Sequence, residues 1–366
     1  MKGIKLHLGE RSYDILISYG AISGLSKKIK ELNLGDYAYI LSHAFLKKTY
    51  GHLIKKSLRN GGIKNFKFRL LPKSEKTKSI GIAAEVLRDL VRTGKSKRVF
   101  LVAFGGGVIT DLTGFIASVY KRGVNYIQIP TTLLAQVDAA IGGKTAIDLK
   151  EAKNIVGTFY QPRLVISDVA VLKTLDFKQL STGLAEVIKY AVIKDKILFK
   201  YLEENREKII RKDRGALEFI IKRSSLIKAR IVEKDEKETK GIRTILNFGH
   251  TFAHAIETAS GYKKYSHGQA VAIGMLCAAD MSCRLNLLGR KKARRIARLI
   301  KSFGLSDKIR GVSLNRILAA IYYDKKFQGK HTRFVILKDI GKTAIKEDPP
   351  ASLVRQVIEE RLLRRT

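Results

Sequence analysis

The sequence has little cysteine: Cys277 and Cys283 are its only two, six positions apart, with no CxxC or CxxxC spacing. A disulfide framework is therefore not expected, and a reducing, cytoplasmic setting fits. It is also short of proline, with five, and of acid: 33 Asp and Glu stand against 71 Lys and Arg, a formal net charge of +38. No apolar run reaches the roughly 18 residues that a membrane-spanning helix needs, so no membrane partner is expected. The opening stretch MKGIKLHLGERSYDI has no apolar h-region, which argues against a secretory signal. What is there is a globular composition, 45% hydrophobic and 28% charged, over 366 residues, a length that favours two domains.

The positive excess points to anionic partners: nucleic acid, an acidic surface, or phosphorylated and carboxylated small molecules. The simplest reading of most of these charges is a solvated basic surface. In the densest run, RKKARRIAR at 290–298, apolar residues recur at helical spacing, as on one face of an amphipathic helix. No aromatic residues for base stacking accompany it, so no specific nucleic-acid partner is expected.

Up to about residue 174, short β-rich runs at 4–8, 13–17, 37–41, 66–70, 99–103, 126–129 and 164–166 are interspersed with helical patterns such as 80–91 and 108–120. That alternation predicts an α/β domain with a parallel sheet over residues 1–174. Beyond it, apolar residues fall three and four apart in segments 185–193, 217–232, 251–258, 269–287, 296–303, 314–323 and 352–363. Residues 175–366 thus read as an all-helical domain, with 332–337 as a strand or extended loop.

The apolar run 99–104 leads into Gly105, Gly106 and Gly107 and then a helix start containing Asp111. Glycines let backbone N–H groups approach a phosphate, and a helix N-terminus adds favourable partial charge. A tight strand-to-helix turn explains the same residues, and the segment is neither GxGxxG nor a P-loop. Thr131 and Thr132 follow the next strand, where open α/β sheets bind ligands. Asp138, then Lys144 beside paired glycines, then Lys153 and Asn154, add polar groups that are weak signals singly.

The later half carries the stronger chemistry. His250 and His254 sit at i, i+4 in NFGHTFAHAIE, and His267 opens the next apolar helix in HGQ. Three of only seven histidines fall within 18 positions. Glu186 is a carboxylate within the apolar helical stretch GLAEVIK. Histidines plus one glutamate are the usual donors of a catalytic zinc site. Spacing alone does not say which of His250 and His254 is the ligand, and ordinary polar histidines are the bland alternative. Arg243, seven residues before His250, could clamp a carboxylate or phosphate.

The motifs FGGGVITDLTGF, YKRGV, IPTTLLAQVDAAIGGKTAID, KNIVGTFYQP, GLAEVIKYAVI, GIRTILNFGHTFAHAIE and HGQAVAIGM, with DKK at 324–326, resemble the 3-dehydroquinate synthase family among the sugar-phosphate cyclases. The resemblance covers most of residues 99–280, in family order. It implies a Rossmann-like α/β N-terminal domain and a helical, metal-binding C-terminal domain. It implies zinc, with cobalt as a possible substitute, held by Glu186, His250 and His267, and leaves His254 as an active-site residue. NAD contacts are implied for Gly105, Gly106, Gly107, Asp111, Thr131, Thr132 and Lys153, shared by Asp138 and Lys144, with Glu75 and Lys78 on the adenosine side. A substrate pocket is implied for Asp138, Lys144, Asn154, Lys189, Arg243 and Asn247, with Lys228 and Lys325 or Lys326 as further basic contacts. Arg122, in YKRGV, matches an arginine that reaches the neighbouring subunit's substrate, which implies a homodimer. One departure stands out: where the family often has an aspartate near the adenosine ribose, this chain reads Ser42-His43.

The implied substrate is 3-deoxy-D-arabino-heptulosonate 7-phosphate of the shikimate pathway, and the implied reaction is transient oxidation by NAD, phosphate elimination, reduction, ring opening and aldol closure to 3-dehydroquinate. The cofactor would be unchanged overall, making the enzyme a lyase. The competing readings are a cyclase acting on another sugar phosphate, a metal-dependent polyol dehydrogenase, and a basic nucleic-acid-binding protein.

Overall fold

A computed structural model describes residues 3–149, 151–328 and 331–363, without the side chains of 323–328. The chain forms two compact units: Met1–Leu175 with Arg214–Lys237, and Asp176–Asp213 with Glu238–Thr366.

The first unit is built on strands β1 (Gly3–Leu6), β2 (Tyr13–Ser18), β3 (Tyr37–Ser42), β4 (Asn65–Leu70), β5 (Val99–Gly105), β6 (Tyr126–Pro130), β7 (Lys144–Ile147), β8 (Val156–Phe159) and β9 (Leu164–Asp168). Seven of them form one sheet in the order β1-β2-β9-β6-β5-β3-β4, parallel except where β1 pairs antiparallel with β2. Strands β3, β5, β6 and β9 are buried along their whole length, as expected of a parallel sheet covered on both faces. The pleat sorts their side chains. Ala38, Ile40, Phe100, Val102 and Phe104 pack with Leu46, Ile54 and Leu58 of helix Ala44–Asn60. Tyr37, Tyr39, Leu41, Val99, Leu101 and Ala103 pack on the other face with residues of helices Ile80–Gly94 and Gly107–Val119. From β3 the chain turns outward to β4, whereas from β5 it turns the other way to β6. The segments after β3 and β5 therefore diverge, which opens a crevice at the carboxyl ends of these strands. The hairpin of β7 and β8, short and half polar, forms a separate ribbon outside the expected strands.

One segment departs from the expected division at residue 174. Helix Arg214–Lys234 reads as part of the helical half, yet it belongs to the first unit, packing on β1 and β2. Glu218 accepts from the Tyr19 backbone N–H at 2.8 Å and Glu233 from that of His7 at 2.9 Å. Just beyond the helix, Glu236 pairs with Arg11 at 2.7 Å and accepts from Gln161. A 3.6-residue period reveals which face of a helix is buried but not what buries it.

The second unit is helical, with helices Phe177–Lys194, Lys196–Glu204, Arg206–Ile210, His250–Ala259, His267–Arg284, Arg290–Ser302, Leu314–Gln328 and Ala351–Glu359. It is not all-helical: β10 (Arg333–Asp339) and β11 (Lys342–Glu347) form an antiparallel hairpin, which settles 332–337 as mostly strand. A short apolar run such as FVIL does not by itself separate a strand from an extended loop; pairing with β11 decides it. Helix starts are marked by acceptors. Asp176 takes the Gln179 N–H at 2.7 Å, Asp195 takes those of Ile197 and Leu198, and Ser266 and Gln269 form a capping box. That box places His267 at the first helical position.

Candidate metal centre and glycine turn

Glu186 lies in mid-helix and is fully buried. Lys189, one turn on and also buried, pairs with its Oε2 at 2.5 Å. Its Oε1 faces two imidazoles, 3.5 Å from His250 Nε2 and 3.5 Å from His267 Nε2. One donor atom from each of the three residues lies within 4.8 Å of the others. Ligand atoms about 2.0–2.1 Å from zinc at a tetrahedral angle stand about 3.3 Å apart, so these edges suit one divalent ion. Each ring is turned by what its other nitrogen meets: His250 Nδ1 lies 3.3 Å from the Phe248 carbonyl, and His267 Nδ1 lies 3.5 Å from Glu257 Oε1.

Close helix crossings bring the three together. Gly249 has φ 80°, and a Cβ there would stand 2.6 Å from the Met275 backbone nitrogen. A Cβ on Gly268 would stand 2.6 Å from the Thr182 Cα. The helix carrying His267 thus lies against both the His250 turn and the helix of Glu186.

The electrostatics fit the same ion. Burial, together with the Lys189 ammonium, holds the His250 imidazole well below its ordinary pKa, in the neutral form a metal requires. Burial alone would also lower His267, but its bonds to Glu186 and Glu257 outweigh that and push it up to about 10. Two carboxylates thus favour a positive charge at this point, which a divalent cation would supply.

Of the i, i+4 pair, His250 joins the cluster, while His254 is exposed with its ring edge-on to His250 at 5.6 Å. Arg243 is buried with its Nε 3.2 Å from Glu238, and Asn247 is exposed at the end of the turn Ile242–Asn247. The side chains of Lys325 and Lys326 lie outside the described residues. Glu257 is the residue that motif reading passed over. Its signal was positional, since it lies two helical turns after His250 on the same face.

In the first unit the glycine turn is set by packing. A Cβ on Gly105 would stand 2.6 Å from Ile109, and one on Gly106 would stand 3.1 Å from Thr132. Thr131 N–H donates to the Gly105 carbonyl at 2.9 Å, which ties the ends of β5 and β6 together. Asp111 meets Lys78 Nζ at 2.6 Å, and the same ammonium donates to Asn154, itself held at φ 55°. Burial pushes the Asp111 carboxyl up despite Lys78. Asp138 lies in the π-turn Ala135–Ala139, where Lys228 Nζ reaches both its carbonyl at 2.7 Å and its Oδ1 at 2.6 Å. Single wide turns of this kind recur at functional sites. Glu75, Lys144 and Lys153 are exposed, and so is Arg122, at φ 63°. At the position of the missing aspartate, Ser42 is buried and donates to the Phe104 carbonyl at 2.8 Å, while His43 Nδ1 lies 2.9 Å from the Leu71 carbonyl.

Comparison with known proteins follows this division of labour. The family model described as 3-dehydroquinate synthase N-terminal matches residues 69–182, and that described as 3-dehydroquinate synthase C-terminal matches residues 183–327. A 3-dehydroquinate synthase of Thermodesulfovibrio yellowstonii is 43% identical over 98% of this chain and 100% of its own length. This chain belongs to the 3-dehydroquinate synthase family. All three candidate metal donors fall in the family's C-terminal span, and the glycine turn falls in its N-terminal span. Among solved structures, the 2-epi-5-epi-valiolone synthase ValA of Streptomyces hygroscopicus, with NAD+ and Zn2+ bound, has a TM-score of 0.86 at 26% identity, covering 97% of this chain and 98% of its own. A 2-deoxy-scyllo-inosose synthase has a TM-score of 0.87 at 23% identity over 99% of this chain and 100% of its own, and shares the fold. The family's fold is thus shared with synthases of other names.

Proposed function

We propose that this protein forms 3-dehydroquinate and phosphate from 3-deoxy-D-arabino-heptulosonate 7-phosphate, as a cytoplasmic carbon–oxygen lyase dependent on NAD and a divalent metal. The observation that carries this reading is the donor cluster of Glu186, His250 and His267 in a chain matched end to end by a named relative. When bound, NAD+ would take up and return one hydride and zinc would act as Lewis acid toward substrate hydroxyls. Glu186, His250 and His267 would hold the metal. The glycine turn, Thr131 and Thr132 stand at strand ends, and Asp111 in the helix that follows the glycines, where the dinucleotide would sit. Lys144, Lys189, Lys228 and Arg243 supply cations for a substrate bearing both a carboxylate and a phosphate, and burial of three of the four strengthens that attraction. Lys228 is held in place by Asp138, and Lys189 by Glu186. His254, exposed beside His250, is assigned to taking and returning a proton at its imidazole. Arg122, exposed on its turn, is assigned to a second subunit's site in a homodimer.

The test is to incubate the metal-loaded protein with the heptulosonate phosphate and NAD+ and to follow products. One phosphate and one dehydroquinate per turnover, with no net NADH, is the expected result. NADH accumulating without phosphate release would instead make it a polyol dehydrogenase.

A further inference from the structure

Glu257 has no part in the activity described so far, yet it stands next to the metal centre. It lies on helix His250–Ala259, two turns beyond His250, and is largely buried. Its Oε1 is 3.5 Å from His267 Nδ1, the ring nitrogen opposite the one facing Glu186. The two histidines therefore differ. His250 Nδ1 meets a neutral backbone carbonyl, whereas His267 Nδ1 meets a carboxylate. An imidazole that donates its second N–H to a carboxylate is fixed in one tautomer and one ring plane, and its other nitrogen becomes a stronger donor.

We propose that Glu257 is a positioning residue for the metal, holding His267 with Nε2 toward the ion and strengthening that ligand by its charge. This rests on the metal reading above. The capping box fixes the backbone of His267, and Glu257 fixes its ring, so two separate devices aim one ligand.

The test uses the full-length protein stripped of metal, titrated with Zn2+ or Co2+ against a chromophoric chelator. Glu257→Ala is expected to weaken binding about 10–100-fold. Glu257→Gln, which keeps an acceptor oxygen and loses the charge, is expected to fall between that variant and wild type. In a His267→Ala background the same Glu257 substitutions should have no further effect, which a merely structural role would not produce. Equal affinity of wild type and Glu257→Gln, or the same loss with and without His267, overturns the proposal while leaving the metal site standing. Failure of the wild-type protein to bind either ion overturns both. Should Glu257→Ala not fold, Glu257→Gln decides alone.

Discussion

Both units pair buried charges, but the second also gathers two histidines around one buried carboxylate. In the first, Lys78 lies against Asp111 and Asn154, and Lys228 against Asp138, so cations and acceptors of the same unit answer one another. In the second, two imidazole nitrogens each lie 3.5 Å from one carboxylate oxygen, close to the spacing of ligands around a shared ion. The first arrangement is a preformed polar network. The second is a set of donors whose spacing suits a shared cation. Buried polar groups thus pair off in one unit, and in the other they also form a cluster of three candidate metal donors.

The contrast can be broken experimentally. The largest effect belongs to the chelate: Glu186→Ala or His250→Ala should weaken metal binding well beyond the ~100-fold that loss of an outer partner costs, and abolish turnover. NAD+ affinity, measured by equilibrium dialysis, should stay at the wild-type value, and a matching loss there would dissolve the distinction between the units. Next comes Lys78→Ala, which leaves Asp111 without its ammonium and should cost about 3 kcal/mol of stability in denaturant unfolding, without changing metal affinity. Smaller again is Gly268→Ala, whose methyl group meets the Thr182 backbone and should cost about 1–3 kcal/mol while weakening metal binding by parting His267 from Glu186. Unchanged metal affinity would show that the crossing does not set the site. The smallest effect concerns Glu236. Arg11 holds its carboxyl below the ordinary range, so its contribution is present above the unfolded value of about 4.3 and fades as the pH falls through the folded value. Because Arg11 is exposed, that contribution is at most about 1 kcal/mol. Denaturant midpoints of wild type and Glu236→Gln should differ at neutral pH and converge in acid.

What the sequence displayed tracks how local the determining physics is. The buried runs of β3, β5, β6 and β9 announce a parallel sheet because both faces of each strand are covered, which leaves near-continuous apolar stretches. The metal donors were visible as a cluster of rare residues, and the family resemblance pointed to the three that converge. Spacing by itself could not choose between His250 and His254, because both lie on one helical face; in the fold His250 meets Glu186 and His254 is exposed. The unit to which helix Arg214–Lys234 belongs was not legible, since its partners on β1 and β2 are some two hundred residues away in sequence. Glu257 was hidden because a carboxylate at a helix end looks like any solvated acid until His267, ten residues on, folds back against it.

The path of the chain between units has a cost during synthesis. It passes from one unit to the other at 175, returns at 214 and leaves again at 237, so no single cut separates two foldable pieces. The seven-stranded sheet is complete at Asp168, yet the helix that covers β1 and β2 emerges only roughly 60 residues later. At about 5–20 residues per second, that surface waits about 3–12 s on the ribosome without its cover. The nascent chain is therefore most open to chaperones, and to misassociation, in that interval.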